Sequence, residues 1–110
     1  MPLDKDLTTI AQLYTQAGYN TGYIGKWHLG SKRDIVPVEE RGGYDYWLAA
    51  NLLEFCSDAY NCNLWNNGNE KIHLPGYRVD AMTDAAIRYI DDAKKQDKPF
   101  FLFTSYLEPH

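Results

Sequence analysis

Apolar residues near the start of the chain recur at steps of three and four. This spacing places them on one face of a helix, predicted from about Asp6 to Ala17. Asp6 suits the N-cap because its carboxylate accepts from free backbone amides, and Gly18 suits a left-handed stop. Residues 19–25 follow, aromatic, β-branched and bounded by glycines, and they predict a buried strand. The apolar positions of the helix are Leu7, Ile10, Ala11, Tyr14 and Ala17.

A second unit of the same kind occupies the end of the chain. Apolar residues at helical spacing predict a helix over about Val79–Lys95, with lysines in its last turn, where cations are favoured. The run from Pro99 to Tyr106 is continuously apolar through Phe103. It predicts a central parallel strand covered on both faces. Two helix-then-strand units imply a layered α/β domain, with parallel strands and helices packed on the sheet.

The segment between these units, from Ser31 to about Pro75, lacks a sustained period and is predicted to be mostly loop. Within it, residues 60–65 and 71–74 flank Asn66-Asn67-Gly68-Asn69. Asn-Gly between alternating segments predicts a β-hairpin, because both residues tolerate positive φ. The tip is interpreted as a solvated turn, with contact to a substrate as the alternative.

The length and charge of the chain argue against some classes of partner. With 110 residues the chain is one domain at most, and its formal charge of −4 is spread without a basic stripe. A nucleic-acid partner is therefore not expected. No apolar run approaches the roughly 20 residues that cross a bilayer, so no membrane partner is expected either. The first residues lack the order of a signal peptide. A signal further upstream would place the protein in the periplasm or outside the cell, so the compartment stays open.

Cys56 and Cys62 are the two cysteines of the chain. Their spacing fits neither a redox pair nor a zinc knuckle, and two free thiols are the favoured interpretation. A local disulfide in an exported protein is the alternative.

Polar side chains follow both predicted strands. In open α/β sheets, ligands bind beyond the carboxyl ends of the strands. Lys26 and His28 follow the first strand, and in an extended backbone they would point to one side. His110 follows the second. An ammonium suits an oxyanion, and an imidazole can bind one and also transfer a proton. These residues predict an anion site with acid–base capacity at the ends of two adjacent parallel strands, against the alternative of solvated surface side chains.

One stretch of this sequence closely resembles the second signature of the type I sulfatases, members of the alkaline-phosphatase-like superfamily. The thirteen positions 18–30 read Gly-Tyr-Asn-Thr-Gly-Tyr-Ile-Gly-Lys-Trp-His-Leu-Gly. Positions 41–47 look like the aromatic Gly-Phe/Tyr-Asp segment of the family, and 99–110 look like its strand ending in Pro-His. The matches follow family order over nearly the whole chain. The resemblance implies a middle segment, 1–110, of a sulfatase catalytic domain.

The resemblance implies roles for three residues. Lys26 and His110 would bind the sulfate group of a sulfated small molecule or carbohydrate. His28 would contact the nucleophile and assist breakdown of its sulfated intermediate, and His110 would be a candidate acid for the leaving alcohol. The family also implies calcium and a formylglycine nucleophile made from Cys or Ser in Cys/Ser-x-Pro-x-Arg. Neither cysteine fits that motif, and no residue is assigned as a metal ligand, so the segment alone is expected to be inactive.

Three further expectations remain. A phosphoesterase or phosphonate hydrolase of the same superfamily is the alternative enzyme, and a non-catalytic module that binds sulfated glycans is the alternative of another class. Trp27, Tyr44, Tyr46 and Trp47 are interpreted as packing residues, with stacking on a sugar as the alternative. Because the two predicted strands lack neighbours, the segment is expected to self-associate through open edges or to be partly disordered over 31–75.

Overall fold

The structure is a computed structural model and describes residues 2–109. It forms one five-stranded sheet in the order β4-β3-β2-β1-β5. β1 pairs in parallel with β2 on one side and β5 on the other, and the hairpin of β3 and β4 continues the sheet antiparallel. The elements are α1 (Ile10–Gln16), β1 (Asn20–Lys26), β2 (Tyr46–Ala50), β3 (Cys62–Asn66), β4 (Lys71–Leu74), α2 (Arg78–Ala93) and β5 (Phe100–Ser105).

Helix α1 begins later than the sequence predicts. Thr9, not Asp6, is the N-cap: its hydroxyl accepts from the Gln12 amide, and the Gln12 side chain accepts from the Thr9 amide. This reciprocal capping box satisfies two free donors, which Asp6 cannot do from its position. The predicted stop is confirmed, since Gly18 has φ 93°. Ala11 is the one residue of α1 that is buried, so most of the predicted apolar face is exposed.

Helix α2 matches its prediction closely and covers one face of the sheet. Its buried face is built of small and flexible residues, which let the helix approach the strands. Ile24 and Leu64 meet it from the sheet. The buried apolar side chains of α2 are Ala81, Met82, Ala85, Ala86, Tyr89 and Ala93.

The other face of the sheet carries an aromatic cluster. Trp27 and Trp47 are buried with Val36, and the Tyr23 ring lies between the two tryptophans and Phe103. Packing is therefore the role of Trp27 and Trp47, as predicted. Tyr44 packs against the same cluster, and Tyr46 contacts Tyr89 on α2.

Residues 31–75 are mostly irregular, as predicted, and β3 and β4 form the predicted hairpin, but the prediction missed strand β2. Three of the five strands lie in this segment, and β2 is an inner strand. β2 is short and ends in two alanines, so neither its length nor its strand propensity separates it from loop. Pairing with β1 and burial of four of its five residues make it a strand.

The predicted hairpin is present, but its turn differs in detail. The positive φ lies at Asn69, with φ 62°, one residue beyond the Asn67-Gly68 pair. The amide of Asn69 donates to the Asn66 carbonyl, and that of Asn66 donates to the Glu70 carbonyl. This is a type I turn closed by a left-handed residue, a common longer hairpin.

Strand β5 was expected to be central, with cover on both faces. Within residues 2–109 it has a neighbour on one side only, and Phe103 is 47% exposed. β1 is flanked on both sides. In the described part of the chain, no helix is long and apolar enough to cross a bilayer.

Candidate functional site

The site lies where two adjacent parallel strands end. β1 and β5 pair in register as far as Gly25 opposite Ser105, so the segments that follow leave the same edge of the sheet. Gly25 makes this approach possible: a Cβ there would lie 2.0 Å from the Ser105 carbonyl oxygen. Its φ of 117° also disfavours any L side chain. The predicted adjacency of the two strands is therefore confirmed.

Lys26, the last residue of β1, holds its ammonium at this edge. Its Nζ donates to Oε2 of Glu54 at 3.0 Å, and both side chains are partly buried. Glu54 is fixed by a short 3-10 helix, Leu53–Phe55, whose Leu53 is fully buried. Partial burial works to raise the pKa of Glu54. Two hydrogen bonds, from the Glu54 amide and from Lys26, lower the pKa of this carboxyl, as do the charges of Lys26 and His28. Together they outweigh the effect of burial, so the pKa of Glu54 is lowered.

His28 follows the strand in a different backbone conformation from the one predicted. Its φ is 61°, so the extended chain does not continue through it. Its amide donates to the Asn51 carbonyl at 2.9 Å, which pins the turn to the end of β2. Lys26 and His28 nevertheless line one cavity of about 520 Å³, together with Ser105. The structure thus brings the two predicted residues of this motif to one space.

Asn51 is a positioning residue that the sequence did not indicate. It is buried, its Oδ1 accepts from the Gly30 amide at 2.9 Å, and its Nδ2 donates to the carbonyls of Gly30 and Lys32. These bonds replace the regular partners that the backbone loses beyond β1. The turn that carries His28 is therefore held by side chain as well as by backbone.

The Tyr23 side chain supports the carboxyl end of β1. Its hydroxyl donates to the Lys26 carbonyl, and its ring packs in the aromatic cluster. Burial raises the pKa of Tyr23 to about 12, opposed in part by a hydrogen bond with Ser105. The residue is a neutral phenol at physiological pH and acts as a hydrogen-bond donor.

The segment after β5 is anchored by a partly buried ion pair. Arg78, at the start of α2, contacts Glu108 Oε2 through Nε at 2.9 Å and through a terminal nitrogen at 2.7 Å. Thirty residues separate the partners, and no local pattern predicts the pair. His110, two positions beyond Glu108, lies outside the described residues.

The described side chains offer anion binding and proton transfer, but no thiolate nucleophile. Burial raises the pKa of both Cys56 and Cys62 to about 11, so both are protonated at neutral pH. Both are free thiols in the structure. Among residues 2–109, no three His, Cys, Asp or Glu side chains are grouped so that they could hold a metal ion. These residues therefore do not fit a calcium site on their own.

The hairpin tip lies away from this site. Asn66 pairs with Leu48, and Asn67 bonds to the backbone of Asp45 and Trp47, at the amino end of β2. Lys26 pairs with Ala50 at the other end of the strand. The tip is thus tied down by the start of β2, and contact between it and a ligand at Lys26 is not supported.

Comparison with known proteins gives a consistent result. The sequence profile described as Sulfatase matches residues 2–110. The ulvan-active sulfatase of Formosa agariphila is 38% identical over 98% of this chain and 21% of its own length. The N-acetylglucosamine-6-O-sulfatase of Bacteroides thetaiotaomicron is 33% identical over 96% of this chain and 17% of its own length. The chain therefore spans about a fifth of the length of these relatives.

Solved structures agree with the sequence comparison. The protein BT4656, in complex with its substrate D-glucosamine-2-N,6-O-disulfate, superposes with a TM-score of 0.76 at 34% identity, over 99% of this chain and 20% of that chain. The yidJ protein of Bacteroides fragilis superposes with a TM-score of 0.82 at 25% identity, over 98% of this chain and 26% of that chain. The predicted α/β layered fold, with parallel strands and helices on the sheet, is confirmed.

Proposed function

This chain belongs to the sulfatase family, and we propose on that basis that the protein of which it forms part hydrolyses sulfate esters of carbohydrates. The observation that carries the proposal is the meeting of Lys26 and His28 in one cavity at the carboxyl ends of β1 and β5. Two relatives named for sulfated carbohydrates support the choice of substrate class.

In this proposal Lys26 binds a sulfate oxygen. An ammonium has three N–H donors, and Glu54 accepts from it at one oxygen. Lys26 can therefore keep its carboxylate partner and still donate to the ester. Glu54 fixes the direction of the ammonium and offsets its charge, so the site holds the product sulfate less tightly than an isolated cation would.

His28 is proposed to contact the nucleophile and to assist breakdown of its sulfated intermediate. Its side chain lines the cavity without being buried, so it can reach a group placed there. An imidazole can take a proton from a reacting hydroxyl and pass it on. His110 is proposed to bind the sulfate from the neighbouring strand and to protonate the leaving alcohol.

The formylglycine nucleophile and the calcium ion typical of the family are proposed to come from other parts of the protein. The chain is accordingly proposed to be a middle segment of the catalytic domain. When bound, the cation would supply positive charge to the sulfate oxygens. The isolated segment is expected to show no turnover, since it lacks both groups.

The test is a comparison of esters by the full-length protein. Turnover of sulfate esters with little turnover of matched phosphate monoesters supports the proposal, and the reverse preference contradicts it. Lys26→Ala is expected to lower kcat/KM for the sulfate ester by roughly 10²–10³-fold, the usual cost of losing one group that stabilises developing charge. Lys98→Ala, a change of an exposed lysine outside the site, is the matched control and should leave kcat/KM unchanged.

A further inference from the structure

Two cavities meet at the Lys26–Glu54 ion pair. Lys26 lines the cavity described above, and Glu54 lines a second one of about 550 Å³. The two side chains are 3.0 Å apart, so a ligand bound at the ammonium has the second cavity directly beside it. In a sulfate ester one bridging oxygen joins the sulfate to the alcohol. The alcohol half must therefore enter a space next to Lys26.

The chemistry of the two cavities differs. The cavity of Lys26 and His28 is otherwise lined mainly by apolar and aromatic side chains, among them Trp27, Leu29 and Phe103. A sugar ring placed there would leave several hydroxyls without partners, at a cost of about 1–3 kcal/mol for each buried group. The apolar cavity is thus poorly suited to a polyhydroxylated alcohol.

The second cavity, here called the polar cleft, offers both kinds of contact that a sugar needs. Its lining includes carboxylates, two side-chain amides and two cations, which pair with hydroxyls. It also includes two aromatic rings, of which Trp65 is buried and Phe55 is exposed, so Phe55 is the one of the two that can stack on a ligand. Phe55 directly follows Glu54 and is 64% exposed, although a ring of this size normally gains by burial. An exposed ring beside hydrogen-bonding groups is what the apolar face of a sugar stacks on.

The charge of the polar cleft restricts the ligand further. Arg33 and Lys71 face three carboxylates, those of Asp34, Glu54 and Asp58. Arg33 is already paired with Asp34 at 3.2 Å. The cleft therefore has no excess of positive charge to bind a second sulfate, and it favours a ring whose other substituents are uncharged.

From these observations we infer that the polar cleft holds the alcohol half of the substrate, that this half is a sugar ring without a second sulfate, and that Phe55 is its stacking platform. The inference rests on the proposed function. The inference adds three points to the proposed function: where the sugar ring binds, which residue selects the sugar, and that the ring carries no second charged group.

The experiment uses the full-length enzyme and two substrates, a monosulfated N-acetylhexosamine and 4-nitrophenyl sulfate, whose flat ring carries no hydroxyls. Phe55→Ala is expected to lower kcat/KM for the sulfated sugar roughly tenfold, mainly through KM, as for the loss of one aromatic contact. For 4-nitrophenyl sulfate the change should stay within about twofold. Phe55→Trp should retain the activity on the sugar. Lys71→Ala, at a second exposed position of the cleft, should repeat the selective loss.

Val38→Ala is the matched control, since Val38 is 66% exposed and lies outside both cavities. It should change neither rate. Equal losses on both substrates in Phe55→Ala, or no loss on the sugar in either cleft variant, would overturn the inference while leaving the proposed function intact. Absence of sulfate-ester turnover by the unsubstituted enzyme would overturn the proposed function itself.

Discussion

At the scale of single residues, the ion pair of Lys26 and Glu54 explains how the lysine that we propose to bind the sulfate is held in place before any ligand arrives. A free lysine side chain has several rotatable bonds, and ordering it costs up to about 2 kcal/mol. Glu54 orders it in advance, from a 3-10 helix anchored by Leu53. Lys26 and His28 could be found from a continuous motif. Glu54 could not, because its contact with Lys26 spans 28 residues.

The ion pair leads to a titration prediction. Lys26→Met should raise the pKa of the Glu54 carboxyl, because it removes a hydrogen bond and a positive charge that lower that pKa. Titration of the side-chain carboxyl carbons by NMR measures this directly. Lys94→Met removes a lysine paired with Asp91 on α2 and is the control. An unchanged Glu54 pKa in Lys26→Met would show that the pair does not form in solution.

Asn51 leads to a second prediction at this scale. Asn51→Ala should lower the free energy of unfolding by about 1–3 kcal/mol, because the buried backbone groups of Gly30 and the partly buried carbonyl of Lys32 lose their partner. It should also speed hydrogen exchange of the Gly30 amide, which bonds to Oδ1. Gln96→Ala, at an exposed position, serves as the control. Unaltered exchange at Gly30 would contradict the positioning role of Asn51.

At the scale of elements, local signals were reliable where local chemistry decides the structure. α2 and the hairpin follow from apolar spacing and from Asn-Gly at a turn, and both are present. β2 and the start of α1 were misjudged for different reasons. β2 is a strand because β1 lies beside it, and α1 begins at Ile10 because a capping box at Thr9 outcompetes a lone Asp6. A short stretch of sequence does not show which strands pair in the folded protein or which of two candidate residues becomes the N-cap of a helix.

The close approach of β1 and β5 gives a prediction for stability. Gly25→Ala should destabilise the protein by roughly 2–5 kcal/mol, because the new Cβ would collide with the Ser105 carbonyl and force the strands apart. Gly18→Ala isolates the contribution of backbone conformation, since Gly18 has φ 93° and no atom within 4 Å of its Cβ position. It should cost only about 1–2 kcal/mol. Equal losses in urea unfolding would show that the strand contact is not the cause.

At the scale of the whole molecule, the described sheet leaves one edge open beside the site. β5 carries unpaired backbone groups along that edge, and Phe103 is exposed next to them. The sequence indicated the adjacency of the strands that end at Lys26 and before His110. It did not indicate the edge position of β5. A continuous apolar run is expected both in a central strand and in an edge strand that another part of a longer chain covers.

The open edge predicts self-association of the isolated segment. Strand edges of this kind pair with other chains, and a charge on the edge prevents it. Phe103→Lys should therefore reduce the mass measured by light scattering, whereas Val38→Lys, at a comparably exposed position, should not. A compact monomer for the unsubstituted segment would contradict this prediction.

The central claim, that these residues form a sulfate-binding site, is tested most directly by a crystal structure of the full-length protein with bound sulfate. The account predicts sulfate oxygens within hydrogen-bonding distance of Lys26 Nζ and of an imidazole nitrogen of His28, with His110 approaching the same ion from the neighbouring strand. A sulfate bound elsewhere, with Lys26 facing Glu54 alone and the two histidines directed apart, would contradict it.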